Sequence, residues 1–210
     1  MPGVKQKQPK VEKLPEGVEK LIQQDPDAIK AVLEALKKKG HRHTAEEDLR
    51  WIVGLLRHDN PRMREAAQDF LSSRAMEGHG YKGLLSNIVS AAVENCYHED
   101  DNVRSTALKL LTEIVDKDSI QTKGDKLTDE QVKKITEAAK SNLQKGPLII
   151  AYSLECLIAL VEKFPEKTLA EINVGEIKKL TTHDYLSVRN AAEQLLTKIE
   201  IARENLGEFT

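Results

Sequence analysis

The chain has 210 residues, of which 31% are charged and only 4% aromatic, and its formal net charge is −2. That length accommodates one domain with a real core or a short repeat array. The near-neutral balance argues against a dedicated nucleic-acid binder, which would carry a basic excess.

Residues 1–14 are polar, with four lysines against one glutamate, and read as a disordered basic tail. The helical period starts at Pro15. Val18, Leu21 and Ile22 share one face, and Ile29, Val32, Leu33 and Leu36 follow at the spacing of an amphipathic helix. Lys37-Lys38-Lys39-Gly40 closes it, with cations in the last turn and glycine beyond. Residues 15–40 are thus expected to form an N-terminal helical cap. Thr44-Ala45-Glu46-Glu47 has the pattern of a capping box, opening a helix with Leu49, Ile52, Val53 and Leu56 on one stripe. Asp59 and Pro61 start the next, which carries Met63, Ala67, Phe70 and Leu71 and ends at Gly78. The plan repeats with Leu85, Ile88, Val89, Ala92, Val93 and Cys96, then Val103, Ala107, Leu110, Leu111 and Ile114. A polar connector over 116–127 precedes a second capping box, Thr128-Asp129-Glu130-Gln131. Gly146-Pro147 makes the next turn. Gly175 predicts a short or split helix in the last unit, and 205–210 read as a frayed tail. The expected units are 44–78, 83–116, 128–164 and 168–203 within one domain over 15–204.

One phrase recurs at the middle of these units. It is a histidine, an acid, four residues, an arginine, and an alanine three further on. It begins at His58, His98 and His183, so the copies are 40 and 85 residues apart. A degenerate fourth copy falls between the last two, with Gln144 and Lys145 for the histidine and acid and Ile150 for the arginine. Helix-end electrostatics explain the histidine after one helix and the acid before the next, each favoured by roughly 0.3–1 kcal/mol. The histidines do not suit a shared metal. Equivalent residues on packed helices lie about 8–10 Å apart, whereas a zinc ligand needs about 2 Å.

An acid-x4-Arg-x2-Ala phrase between paired amphipathic helices, at a pitch of about 40 residues, resembles the HEAT repeat family, which shares a superhelical class with armadillo repeats. The resemblance covers about residues 44–200. It implies an all-α, right-handed superhelix, an α-solenoid of about four HEAT-like hairpins plus the cap, with each second helix lining a concave surface. It also implies a structural ladder of Asp59, Glu99 and Asp184 with Arg64, Arg104 and Arg189, broken at Ile150.

Several motifs invite a chemical reading and lose it on context. Gly78-His79-Gly80-Tyr81-Lys82-Gly83 spells a dinucleotide fingerprint, but a helix precedes it where a strand is required. A turn is expected there, with Lys82 before a helix N-terminus as the residue of the anion-site idea. Asp116-Lys117-Asp118 lacks the Gly and Glu of a calcium loop. Gly40-His41-Arg42-His43 reads as a solvated basic loop, and Trp51 as core. Cys96 and Cys156 lack CxxC spacing, which suits a reducing compartment and packing roles. No apolar run is long enough to span a membrane, and no hydrophobic signal core opens the chain. The expected address is cytoplasmic, with a nuclear one as second reading.

No catalytic, cofactor or metal constellation emerges. The expectation is a non-catalytic module that binds a protein or peptide, as a monomer or part of a larger assembly. Its contacts would lie on second-helix positions off the core stripe: Glu65, Asp69, Ser105, Lys109, Tyr152, Glu155, Asn190 and Gln194. Tyr152, Glu155 and Ile158 belong to the anomalous third unit, whose apolar Ile150 fits either a better-buried middle repeat or a partner groove. The alternative is a nucleic-acid-processing array of the DNA-glycosylase kind, which the charge and few aromatics disfavour.

Overall fold

The structure, a computed structural model, describes residues 26–118 and 126–207. The tail over 1–14 and the first half of the expected cap lie outside those residues. Ten α-helices and no strand occur among the described residues. They are α1 (Pro26–Lys39), α2 (Glu46–Leu55), α3 (Pro61–Met76), α4 (Leu85–Asn95), α5 (Asp101–Lys117), α6 (Asp129–Ser141), α7 (Pro147–Lys163), α8 (Pro165–Leu169), α9 (Val174–Leu180) and α10 (Leu186–Asn205).

Local chemistry sets most of these boundaries. α1 ends where Gly40 adopts a φ of 87°, a left-handed conformation that glycine takes without a Cβ penalty. α3 starts on Pro61, whose fixed φ and missing N–H suit a first helical position. Asn60 caps it by accepting from the Arg62 amide at 3.0 Å, and Asp100 caps α5 through the amides of Asn102 and Val103. The capping residue is therefore the one after the acid of the recurring phrase in both copies. The box at α6 forms in full. The Thr128 amide donates to Gln131 Oε1 at 2.8 Å, and the Gln131 amide donates to Thr128 Oγ1 at 3.3 Å. The box expected at Thr44 does not form. Ala45 occupies the cap position, and the buried Thr44 hydroxyl has no partner. In the last unit the first helix is split into α8 and α9. Gly175 is the second residue of α9, its amide bound by Asn173 Oδ1 at 3.0 Å. The glycine thus opens that helix rather than interrupting it.

The helices form two rows. The A row contains α2, α4, α6 and the α8–α9 pair. The B row contains α3, α5, α7 and α10, and α1 extends it by packing on α3. Each A helix packs on the B helix that follows it, and their shared interior is one apolar core. α7 lies deepest: eleven of its residues are buried between Ile149 and Val161, among them Ile150 and Ile158. A helix apolar on nearly all sides is the pattern expected of a fully surrounded element. Contact between successive B helices is far more extensive than between successive A helices. The A row is splayed, leaving a polar cleft of about 660 Å³ between α4 and α6. An array packed closely on one row and loosely on the other curves toward the close row, so the outer face of the B row is concave. The fold is an all-α solenoid.

Candidate functional site: the concave face and its joints

The recurring phrase builds the turn between an A and a B helix. His58, His98 and His183 each accept a backbone N–H through Nδ1, from Asn60, Asp100 and Tyr185 at 3.0, 3.0 and 3.2 Å. The imidazole Nδ1 is therefore a hydrogen-bond acceptor that fixes the turn. The arginines also act within their own hairpin. Arg64 donates to the His58 carbonyl at 2.6 Å, Arg104 to the His98 carbonyl at 2.5 Å, and Arg189 to the His183 carbonyl at 2.7 Å. Those carbonyls lie just past an A helix, where the ladder of helical bonds leaves acceptors unpaired.

The expected acid–arginine ladder is thereby corrected. Among the described residues, no ion pair joins the side chains of Asp59, Glu99 or Asp184 to Arg64, Arg104 or Arg189. All three acids are exposed. The bonds between the first two repeats centre on an asparagine instead of an acid. Asn95, 1% exposed, donates to the Leu56 carbonyl at 2.9 Å and to Gln68 Oε1 at 3.0 Å, and accepts from Arg64 at 2.9 Å. Gln68 continues the chain to α5, donating to Thr106 Oγ1 at 2.7 Å. Asn142 repeats only the carbonyl bond one unit later, donating to the Cys96 carbonyl at 3.0 Å, while its Oδ1 has no partner. The break at Ile150 has a counterpart. The position that holds Asn95 and Asn142 holds Leu180 in the last unit, so the arginine and the asparagine that would face it are lost together.

The concave face takes its side chains from one stripe of each B helix. Asp69, Lys109 and Tyr152 are half-buried there, and Glu155, Asn190 and Gln194 are exposed. Glu65 is half-buried beside Asp69. Ser105, at the equivalent position of α5, is 6% exposed, and its hydroxyl donates to the Asn102 carbonyl of its own helix at 3.0 Å. That position faces the next B helix, so Ser105 is closed off from the surface and cannot serve as a contact. Ile158 is likewise buried. Asn190 is open because no described helix follows α10. The same stripe, continued one or two turns, adds Glu113 and Asp116 on α5 and Glu162 on α7, which the first-turn positions alone did not indicate. Stepping by four and three residues from Lys109 and Glu155 finds them. At the N-terminal end, a cleft of about 240 Å³ between α1 and α3 is lined by Leu33, Glu65 and Asp69 among others.

The charges on this face are unbalanced. Glu65, Glu113, Asp116 and Glu155 all have carboxyl pKa values raised above their ordinary values, in each case first by burial. Neighbouring acids add to it: Asp69 and Asp100 for Glu65, Asp116 for Glu113, and Glu162 for Asp116. Lysines work against the rise at three of the four, Lys163 most strongly at Asp116. None of the four belongs to an ion pair within the described residues. The carboxylates whose values are lowered, Glu34, Glu94 and Glu130, each bond to a lysine or arginine away from this stripe.

Three solved structures share this architecture. An engineered protein matches over 92% of this chain and 86% of its own, at 17% identity and a TM-score of 0.61. A designed armadillo repeat protein in complex with the peptide (KR)4 matches over 87% of this chain and 80% of its own, at 15% identity and a TM-score of 0.56. A computationally designed armadillo repeat protein for modular peptide recognition matches over 90% and 78%, at 17% identity and a TM-score of 0.55. The fold is an armadillo-like helical repeat. No family model matches the sequence, and no curated protein matches it significantly.

The other sequence motifs take structural places in this armadillo-like array. Gly78 and Gly83 have φ of 74° and 80° in the α3–α4 turn, where Tyr81 is fully buried. Lys82 donates to the Thr44 carbonyl at 2.8 Å and so ties two turns together. Trp51 is half-buried against the core. Cys96 and Cys156 are free, buried thiols, and burial pushes Cys156 up to about 12. Among the described residues, no cluster of His, Cys, Asp or Glu could hold a metal ion, and no helix is long and apolar enough to cross a membrane.

Proposed function

We propose that this armadillo-like array is a non-catalytic binding module whose concave face takes an extended peptide segment rich in lysine and arginine. One observation carries the reading: four carboxylates without ion partners, half-buried at Glu65, Glu113 and Asp116 and exposed at Glu155, lie on the same face of three successive B helices. Each is held in a form its surroundings disfavour. A ligand that brings cations to the groove relieves that cost on binding, and this is where electrostatic complementarity gives specificity. Solenoids offer such extended concave surfaces. A designed armadillo neighbour was solved with a peptide of alternating lysine and arginine, which supports the same chemistry here. Asp69, Tyr152, Glu155, Asn190 and Gln194 would contact the segment, together with Glu65, Glu113, Asp116 and Glu162. An acidic groove repels a phosphate backbone, so the nucleic-acid alternative gains nothing from the structure.

The test is fluorescence polarisation with a labelled eight-residue peptide of alternating lysine and arginine, beside an alternating glutamate–serine peptide of the same length. The basic peptide is expected to bind with an affinity that falls as salt rises. The charge-reversed variant Asp69→Lys/Glu155→Lys should lose at least about ten-fold, or roughly 1.4 kcal/mol. Equal binding of the two peptides, or an unchanged affinity in the variant, would sink the proposal.

A further inference from the structure

A second cluster of titratable groups lies away from the concave face, where α1 joins the array. His41 opens the short turn between α1 and α2 and is 1% exposed. Its ring meets the Phe70 ring edge-on, with centroids 4.6 Å apart. Its Nδ1 has no hydrogen-bond partner. Its Nε2 lies 3.5 Å from one oxygen of Glu77, and the other oxygen of that carboxylate lies 3.6 Å from His79 Nε2. The backbone around the ring is tied by one buried cation. Arg74, 2% exposed, donates to the His41 carbonyl and, through Nε and Nη2, to the Gly80 carbonyl at 2.9 and 2.7 Å. The α1–α2 turn is thereby clamped to the α3–α4 turn.

The charged groups facing His41 are Glu77, from the end of α3, which favours a proton on the ring, and three that oppose it. Those are Arg74 on α3, His79 in the turn beyond, and Lys37 on α1. Burial is the largest influence and also opposes the proton, so the pKa lies below 6.5. We infer that His41 is a proton-operated latch, whose neutral ring holds α1 against the array and whose protonation releases α1 from α3. The direction follows from linkage. In the opened state the ring regains its ordinary value near 6.5, while in the closed state that value is lower. The closed state keeps its full stability above pH 6.5 and loses it as the pH falls from there toward the lowered value. α1 also walls the cleft beside Glu65 and Asp69, so its release would shorten the concave groove. That last consequence rests on the peptide-binding reading; the latch does not.

The test follows amide hydrogen exchange of the full chain at about pH 7.5 and pH 5.5, on either side of the ordinary histidine range, with protection corrected for the intrinsic exchange rate. Protection over 26–44 is expected to fall on acidification, by up to about ten-fold for one histidine with an open-state value near 6.5, while that over 101–117 and 147–163 holds. His41→Phe, which keeps the ring contact and removes the titration, should abolish the difference, and His79→Ala should retain it. The same loss in His41→Phe, or an equal loss along the whole chain, overturns the latch. If the Phe variant does not fold, the wild-type ring signals decide by NMR. His41 must titrate in step with the loss of α1–α3 contacts, and a ring that titrates while α1 stays in place also overturns it. No peptide enters either measurement, so its failure is separate from failure of the binding reading.

Discussion

Asn95 shows how much a single side chain can carry in this fold. It is fully buried and bonds to three groups of the preceding repeat. Asn95→Ala removes all three bonds at once, strands the Leu56 carbonyl and leaves Arg64 only its bond to the His58 carbonyl. A buried polar group left without a partner costs about 1–3 kcal/mol, so urea unfolding should show a loss of about 2–4 kcal/mol. The paired absence at Ile150 and Leu180 makes a sharper prediction. Ile150→Arg places a charge at a site 4% exposed with no side-chain acceptor across the seam, and Leu180→Asn places an amide with no arginine donor across it. Together they restore the pairing seen at Arg64 and Asn95. A double-mutant cycle should give a favourable coupling of at least about 1 kcal/mol, and additive effects would refute the shared joint. None of this bonding was legible in the sequence. The recurring His, acid and Arg were visible as a phrase, but the histidines bond backbone amides and the arginines backbone carbonyls, which leave no residue signature. Asn95 and Asn142 look like ordinary helix-end residues until their acceptors, 39 and 46 positions away, are known. The cysteines were legible, because each falls on an apolar stripe.

At the level of the element, the helical period and the turn residues marked nearly every helix among the described residues, since amphipathic spacing and Gly or Pro punctuation are local properties. Caps were less legible. Two boxes of the same pattern behave differently because Thr128 is exposed and free to reach its own amides, whereas Thr44 is buried in a turn held by Lys82 and Arg74. α2 consequently begins without a side-chain cap. Ala45→Asp should supply one and raise stability by about 0.5–1 kcal/mol, read as an increase in the denaturation midpoint. Asp100→Ala, which removes the cap of α5, should lower it by about 1 kcal/mol. The concave stripe was half legible. Positions one and five after the arginine were expected to be open, yet the first of them faces the following B helix. It is buried at Ser105 and at Ala151 and becomes exposed at Asn190, where no described helix follows.

The array as a whole is stabilised by neighbour contacts, so its stability should vary along its length. α7 packs against helices on every side, whereas α1 and α10 each have one B-row neighbour among the described residues. Native-state hydrogen exchange should show the highest protection in α5 and α7 and the lowest at the two ends. A uniform profile would indicate a single cooperative block instead. Charge acts at this scale too. The raised carboxyl values on the concave face mean that the free array binds protons there more readily than the unfolded chain does. Its stability therefore suffers at neutral pH from those four groups, and the penalty fades as the pH falls through their raised values. Affinity for a cationic peptide should weaken over that same interval, because the carboxylates that attract it become neutral. Titrating binding from neutral pH downward checks the sign, and a tighter complex in acid would contradict it.

The joint between Arg64 and Asn95 bears on how such an array can grow. Each unit presents an arginine or isoleucine to the unit after it, and an asparagine or leucine to the unit before it. Only the second unit, with Asn95 at one boundary and Arg104 at the other, would match a copy of itself. Tandem duplication of that unit would set Arg104 against Asn95 at the new seam, the residue pair that bonds between the first two units. Duplicating the first, third or last would set a buried polar group against an aliphatic one at the new seam. The chain thus has a preferred unit of extension, set by two residues at each boundary.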